Sequence, residues 1–250
     1  MKQILFAAGL IFTIISGVQA QSSPYGLPAG AKVLEVQNLN STAHPNRALI
    51  LWMIKPERNP RSDPQETYSC PEETTGHFYR GPVRVSLVNT GDKKIINTQV
   101  VKDEQGEDSF NIPYKIHRSY YFVAGVRGQQ EGKPTIMKLK DYNGDGRAAE
   151  FALFDAIACM GLSTTLIGYS EKQDKVIQYE TELTRTFNGK KEKETLTWVD
   201  YLFSKTPAKP GYWKYEIDYR GRAGSLDKYE VRYNMAKERF EATLISKTDD

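Results

Sequence analysis

Alternation of apolar and polar residues is the strongest pattern in this chain, and it predicts β-strands. Aromatic or aliphatic residues occupy every second position, with charged residues between them, at 213–219 and again at 229–233. A period of two is typical of a strand that has one face on a core and the other in water. The segment 220–224 between them predicts a solvated connection.

Short polar connections between β-branched or aromatic segments predict three hairpins. The paired segments are 83–88 with 95–101, 166–169 with 176–179, and 229–233 with 240–244. Further strands are predicted at 32–36, 47–55 and 148–160, although Phe151, Phe154 and Ala158 also have helical spacing. We find no long amphipathic helix and no fixed repeat. The sequence therefore predicts an all-β protein, an irregular two-sheet sandwich of antiparallel hairpins, with a propeller-like array as the alternative.

The domain boundaries follow from apolar and proline-rich segments. Residues 31–245 are predicted to form a single all-β domain, followed by a polar tail at 246–250. Four prolines and many charged residues predict a long loop at 56–81 within that domain.

The first twenty residues have the pattern of a signal peptide. Lys2 precedes an apolar run from Ile4 to Ile15, and small residues lead up to Ala20. That run is shorter than the roughly 20 residues that a membrane-spanning helix needs. We expect cleavage after Ala20, a flexible lead-in at 21–30, and export to the periplasm or the medium, with an uncleaved anchor as the alternative. No later segment is long and apolar enough to span a membrane.

Composition excludes several classes of protein. The chain of 250 residues is 39% hydrophobic and 26% charged, values typical of a globular protein. Its 34 basic and 31 acidic residues give a net charge of +3, or about +2 once Lys2 is removed (3 − 1). This near-neutral balance argues against a nucleic-acid partner.

We expect a monomeric or weakly associating binding module for a glycan or a protein at the cell envelope.

Two cysteines, Cys70 and Cys159, occur in the chain. Thiols outside the cytoplasm tend to be oxidised, so export favours a Cys70–Cys159 disulfide over two buried free thiols. Such a bridge would close a loop of about 90 residues, worth about 4–5 kcal/mol in the chain-entropy account.

One segment has the chemistry of a cation site. Asp141, Asn143 and Asp145 carry oxygen side chains at alternate positions, and glycines follow the last two. Calcium takes six to eight oxygen ligands, so these side chains, the Arg147 carbonyl and the Glu150 carboxylate predict a calcium loop. The alternative is that Asn-Gly and Asp-Gly simply form tight turns.

The segment from Asp141 to Phe151 resembles the calcium loops of integrin-type FG-GAP and VCBS repeat proteins. In that family an aspartate-rich turn joins neighbouring strands. The closing acid usually falls at the position of Ala149, whereas Glu150 follows one residue later here, and the loop occurs once. The resemblance implies calcium as the cofactor and a β-strand after the loop.

Catalytic signatures are weak. We find no Gly-x-Ser-x-Gly elbow, phosphate-binding glycine loop or His-Glu-x-x-His pair. His44, His77 and His117 are scattered through polar segments. No catalytic residue is therefore assigned, and a binding role is favoured over an extracytoplasmic hydrolase or a purely structural envelope protein.

Overall fold

The computed structural model describes residues 25–59, 77–115, 135–158, 161–187, 189–199, 202, 205–222 and 224–248. These ranges contain fourteen β-strands and a 3-10 helix at Arg220–Arg222. The strands are β1 Ala31–Asn38, β2 Arg47–Ile54, β3 Glu57–Asn59, β4 His77–Asn89, β5 Lys94–Val100, β6 Ser109–Lys115, β7 Glu150–Ala158, β8 Gly161–Ser170, β9 Lys175–Gln178, β10 Thr181–Phe187, β11 Lys190–Leu196, β12 Tyr212–Asp218, β13 Ser225–Asn234 and β14 Arg239–Thr248. The prediction of an all-β protein is confirmed.

The strands form three sheets. In the six-stranded sheet the order is β1-β2-β4-β3, and β5 and β6 also pair with β4. The second sheet is β7-β8-β9, and the third is β11-β10-β14-β13-β12. Neighbours are antiparallel except for the parallel pair β10–β14. The three predicted hairpins are β4–β5, β8–β9 and β13–β14, each with antiparallel pairing.

Two hydrophobic cores lie on opposite sides of the three-stranded sheet. On β8, Ile167 belongs to the core shared with the six-stranded sheet, and its neighbour Leu166 belongs to the core shared with the five-stranded sheet. Successive residues of a strand point to opposite faces, so the three-stranded sheet is the middle layer. Each facing pair of sheets is consistent with a sandwich. The third layer was not foreseen in the sequence.

The proline-rich loop is shorter than the predicted 56–81. Glu57–Asn59 forms β3, and β4 already begins at His77, because the two segments pair with each other and β4 also pairs with β6. Residues 60–76, which include Cys70, lie outside the described residues.

Both ends of the predicted domain are also more ordered than expected. Leu27, in the predicted lead-in, is buried in a cluster with Ile50 and Trp52. At the other end β14 continues to Thr248, which pairs with Ser225, so most of the predicted polar tail is strand. The signal-peptide segment at 1–20 lies outside the described residues. Within the described ranges no helix is long and apolar enough to cross a membrane.

Candidate calcium loop

The predicted calcium loop is closed at its base by an antiparallel bridge. The Lys140 amide donates to the Glu150 carbonyl at 2.7 Å, and the Glu150 amide donates to the Lys140 carbonyl at 3.1 Å. β7 begins at Glu150, so the loop leads directly into the middle sheet. The predicted strand after the loop is confirmed.

Inside the loop the oxygen side chains accept main-chain amides. The Asp141 carboxylate accepts from Gly144 at 2.7 Å and from Gly146 at 2.9 Å. Asn143 and Asp145 each accept the amide two residues later, at 2.9 Å in both cases. Both glycines have positive φ, +80° and +87°, a conformation that L side chains rarely adopt. The oxygen side chains at alternate positions thus hold this segment in a tight turn by accepting hydrogen bonds from its own main-chain amides.

Glu150 lies beneath this turn and is fully buried. Its Oε2 accepts the amides of Tyr142 at 2.9 Å and Asn143 at 3.3 Å, and its Oε1 accepts from the Asn143 side-chain amide at 3.2 Å. The Asn143 side-chain amide also donates to Asp145 Oδ2 at 3.4 Å. The structure therefore brings together the four predicted oxygen side chains.

Arg147 was predicted to contribute only its main-chain carbonyl. That carbonyl accepts the Ala149 amide at 3.1 Å. The Arg147 guanidinium forms an ion pair with Glu171 in the β8–β9 turn, away from the acidic side chains of the loop. Sequence reasoning did not identify Glu171.

The electrostatics of the loop are unfavourable for a third negative charge. Burial is the main cause that raises the pKa of Glu150 to about 8; the Asp145 and Asp141 carboxylates act in the same direction, and the amides of Tyr142 and Asn143 oppose the shift. A buried carboxyl in this setting is stabilised either by a proton or by a nearby cation.

Tyrosine side chains of the core shared with the five-stranded sheet lie beside the loop. Burial raises the pKa of Tyr142 to about 12 and that of Tyr179 well above its ordinary value. The Tyr179 hydroxyl is hydrogen-bonded to the side chains of Asn143 and Tyr233. Tyr179 was missed in the sequence because it lies at the end of β9, and only the tertiary fold brings it to the loop.

The donor set has the chemistry that a hard cation prefers. Three carboxylates and one amide oxygen are available. A carboxylate has about four acceptor sites, and the hydrogen bonds described for each carboxylate of the loop occupy fewer than four. Among the described residues, no group of three or more His, Cys, Asp or Glu side chains is arranged to hold a metal ion. Calcium therefore stays a prediction.

The histidines and cysteines contribute no described contact to the candidate calcium loop. His44 Nδ1 lies 3.7 Å from Asp174 Oδ2, whose carboxylate is already bound by Arg47. His117, Cys70 and Cys159 lie outside the described residues, and His77 is described only as the first residue of β4.

Comparisons with protein-family models, with curated proteins and with solved structures returned no match to this chain. A proposal for the function therefore rests on the chemistry of the described residues.

Proposed function

We propose that this chain is an exported β-rich binding module whose Asp141–Glu150 loop binds calcium. Asp141, Asn143, Asp145 and Glu150 would hold the ion through side-chain oxygens, with the Arg147 carbonyl as a further ligand. The ion would supply positive charge and hold the loop in shape; no chemical step is assigned to it.

One observation carries the proposal. Glu150 is fully buried beneath Asp141 and Asp145, and the pKa of its carboxyl is raised to about 8. Among the described residues, no Lys, Arg or His forms an ion pair with any of these three side chains. A divalent cation would remove this electrostatic cost, because opposite charge favours the ionised carboxylates.

Three aromatic side chains beside the loop bear on the ligand class. Tyr142 and Tyr179 are buried, at 8% and 1% exposure, so their ring faces cannot stack on a sugar. Tyr212 follows Gly211, whose main chain contacts the loop, and its side chain is half-exposed, so the proposed ligand class stays a glycan or a protein. The near-neutral charge continues to argue against nucleic acid.

Thermal unfolding with calcium and with a chelator tests the calcium proposal. Calcium at 100 times its dissociation constant adds about 2.7 kcal/mol, which corresponds to a shift of about 5–10 °C for a chain of this size. Asp145→Asn keeps the acceptor for the Arg147 amide but removes the charge, so it should abolish the shift.

Asp103 offers a matched control for that variant. Its Oδ1 accepts the amides of Gln105 and Glu107 in the same manner, at 2.9 and 2.8 Å, in the turn between β5 and β6. Asp103→Asn should retain the full calcium-dependent shift. Identical melting curves with calcium and with chelator would contradict the proposal, as would an equal loss of the shift in both variants.

Export and the disulfide are tested together by the intact mass of protein recovered from the periplasm or the medium. Cleavage after Ala20 gives a chain that begins at Gln21. A Cys70–Cys159 bridge lowers its mass by two hydrogens and prevents alkylation until a reductant is added. A mass that retains residues 1–20, or thiols that react without reductant, would contradict the corresponding part of the proposal.

A further inference from the structure

β12 is the last strand of the five-stranded sheet. Just outside its ends, the Tyr219 amide donates to the Ser225 carbonyl at 2.8 Å, and the Tyr233 amide donates to the Gly211 carbonyl at 2.9 Å. Main-chain groups alternate in direction along an antiparallel strand. The odd-numbered residues of β12 therefore bond to β13, and the main-chain groups of Lys214 and Glu216 point away from the sheet.

The start of β12 does not offer this outward side. At its start, the Tyr212 amide donates to the Lys209 carbonyl at 2.9 Å, and the Tyr212 carbonyl accepts from Ala208, also at 2.9 Å. Among the described residues, no strand pairs with the outward side of Lys214 and Glu216. An unpaired edge of this kind is a template for another strand.

The charges on this edge are self-complementary. Lys214 and Glu216 are both exposed and lie on the same face of the sheet. Antiparallel pairing with a second copy, centred on Tyr215, sets Lys214 opposite Glu216 of that copy, and two-fold symmetry repeats the pair. A register centred on Lys214 or on Glu216 would instead set two like charges opposite each other, which is destabilising. Of the registers centred on 214, 215 and 216, the one centred on Tyr215 alone sets no like charges opposite each other.

The other edge strand of the same sheet, β11, carries charges that oppose self-pairing. In β11 the charges of Lys191, Glu192, Lys193 and Glu194 follow one another without an uncharged residue between them. Any antiparallel self-pairing centred on one of these four residues sets it opposite itself, with like charges in contact. The sheet therefore has one edge that opposes self-pairing and one that permits it.

Tyr215 also favours self-pairing at the β12 edge. Its ring is half-buried and stacks on Tyr229 with 4.8 Å between ring centroids. In the register centred on Tyr215 the two Tyr215 residues form a non-hydrogen-bonded pair, the closer of the two kinds of antiparallel pair. Aromatic pairs across strands are stabilising.

We propose that the β12 edge at 214–216 binds a second copy of this chain as an antiparallel strand, giving a two-fold symmetric dimer with a continuous sheet. The pairing supplies about four main-chain hydrogen bonds and two ion pairs. A contact this small forms only at high protein concentration, and dilute protein is monomeric. The inference is independent of calcium.

Analytical ultracentrifugation over a range from low micromolar to submillimolar protein tests the dimer. Lys214→Glu and Glu216→Lys each set like charges opposite one another across the two-fold axis. Each single variant should therefore weaken self-association roughly tenfold or more. Lys190→Glu on β11 is the control, because it makes the same change in net charge as Lys214→Glu and keeps like charges opposite each other in every register of β11 centred on one of residues 190–194; it should leave self-association unchanged.

Mixing the two single variants is the decisive measurement. One chain then carries Glu at 214 and 216, the other carries Lys at both, and every cross-strand charge pair is attractive again. The mixture should dimerise at least as well as the unmodified chain, and melting curves should show that each variant is folded. A monomer at every concentration would overturn the proposal, as would self-association insensitive to both substitutions or a mixture that stays monomeric.

Discussion

Gly144 and Gly211 are in direct main-chain contact, which joins the candidate calcium loop to the turn that precedes β12. A Cβ built on Gly144 lies 2.6 Å from the Pro210 carbonyl carbon and 2.8 Å from the Gly211 nitrogen. A Cβ built on Gly211 lies 2.5 Å from the Asn143 carbonyl oxygen. Both residues also have positive φ, at +80° and +69°. Only glycine fits either position without displacing main chain.

Gly144→Ala should therefore destabilise the protein by about 3 kcal/mol, from left-handed strain and from a clash with main chain that cannot rotate away. Gly146→Ala is the matched control, because Gly146 has a φ of +87° but nothing within 4 Å of a built Cβ. It should cost only about 1 kcal/mol, for the strain alone. Urea unfolding measures both values, and equal losses would show that the contact with Gly211 contributes nothing.

Arg47 and Asp174 form a second link between layers, from β2 to the β8–β9 turn. Arg47 Nε donates to Asp174 Oδ1 at 2.9 Å and Arg47 Nη2 to Oδ2 at 2.6 Å, while the Tyr169 hydroxyl donates to Oδ1 at 2.9 Å. The Arg47 hydrogen bonds lower the pKa of Asp174, against the opposing effect of burial. Asp174 thus contributes stability above the pKa of the unfolded carboxyl, and this contribution is lost as pH falls through the lower folded value.

Asp174→Asn tests this link without disturbing the turn, because asparagine tolerates the positive φ of 48° at this position. At neutral pH the loss should be about 1–3 kcal/mol, since a charge-assisted bidentate pair is broken. Asp92→Asn, in an exposed turn with a 3.9 Å contact to Lys94, should cost about 0.5 kcal/mol or less. Acid unfolding should be less steep in Asp174→Asn than in the unmodified chain, and equally steep curves would contradict the assignment.

Sequence patterns predicted the hairpins because the two faces of their strands differ in polarity. β12 and β13 alternate cleanly, since one face meets the core and the other meets water. β11 lacks this alternation, because residues 190–195 are all exposed. Its local signal is the Asn-Gly dipeptide at 188–189, which is typical of a two-residue hairpin connection and lies between the paired residues Phe187 and Lys190. The middle layer was missed because a strand apolar on both faces, such as β8, has the same sequence pattern as a strand buried in any other core.

The candidate loop was predictable for a different reason. Its oxygen side chains lie within ten consecutive residues and bond to amides of the same segment, so local spacing determines their arrangement. Glu150 is close enough in the chain to be included. Tyr179, which follows β9, and Glu171, in the β8–β9 turn, reach the loop from another part of the chain. No local pattern indicates such a contact.

Tyr179→Phe should weaken both the fold and the calcium loop. Removing a buried hydroxyl that bonds to Asn143 and Tyr233 should cost about 1–2 kcal/mol in unfolding free energy. If calcium binds, loss of this orienting contact should weaken its affinity roughly tenfold, measured by calorimetric titration. Tyr212→Phe, a half-exposed tyrosine on β12, is the control and should change neither quantity; equal effects of the two substitutions would contradict a specific role for Tyr179.

In the presence of a chelator, Glu150 should make the protein less stable as pH rises. Its pKa is raised from 4.5 to about 8, so between these values the folded state holds a proton that the unfolded state has released. The contribution of Glu150 to the unfolding free energy is therefore fully present below pH 4.5. Above pH 4.5 the contribution falls by up to about 1.4 kcal/mol per pH unit, and beyond pH 8 it no longer changes.

Glu150→Gln separates this effect from other titrations, because glutamine has nearly the same shape and no ionisable group. The unfolding free energy of this variant in chelator should vary much less between pH 5 and pH 8 than that of the unmodified chain. Saturating calcium should likewise remove the decline in the unmodified chain, since the ion favours the ionised carboxylate and its binding strengthens as the proton leaves. A decline that persists in Glu150→Gln would assign the pH dependence to another group, and a decline unaffected by calcium would separate Glu150 from any calcium site.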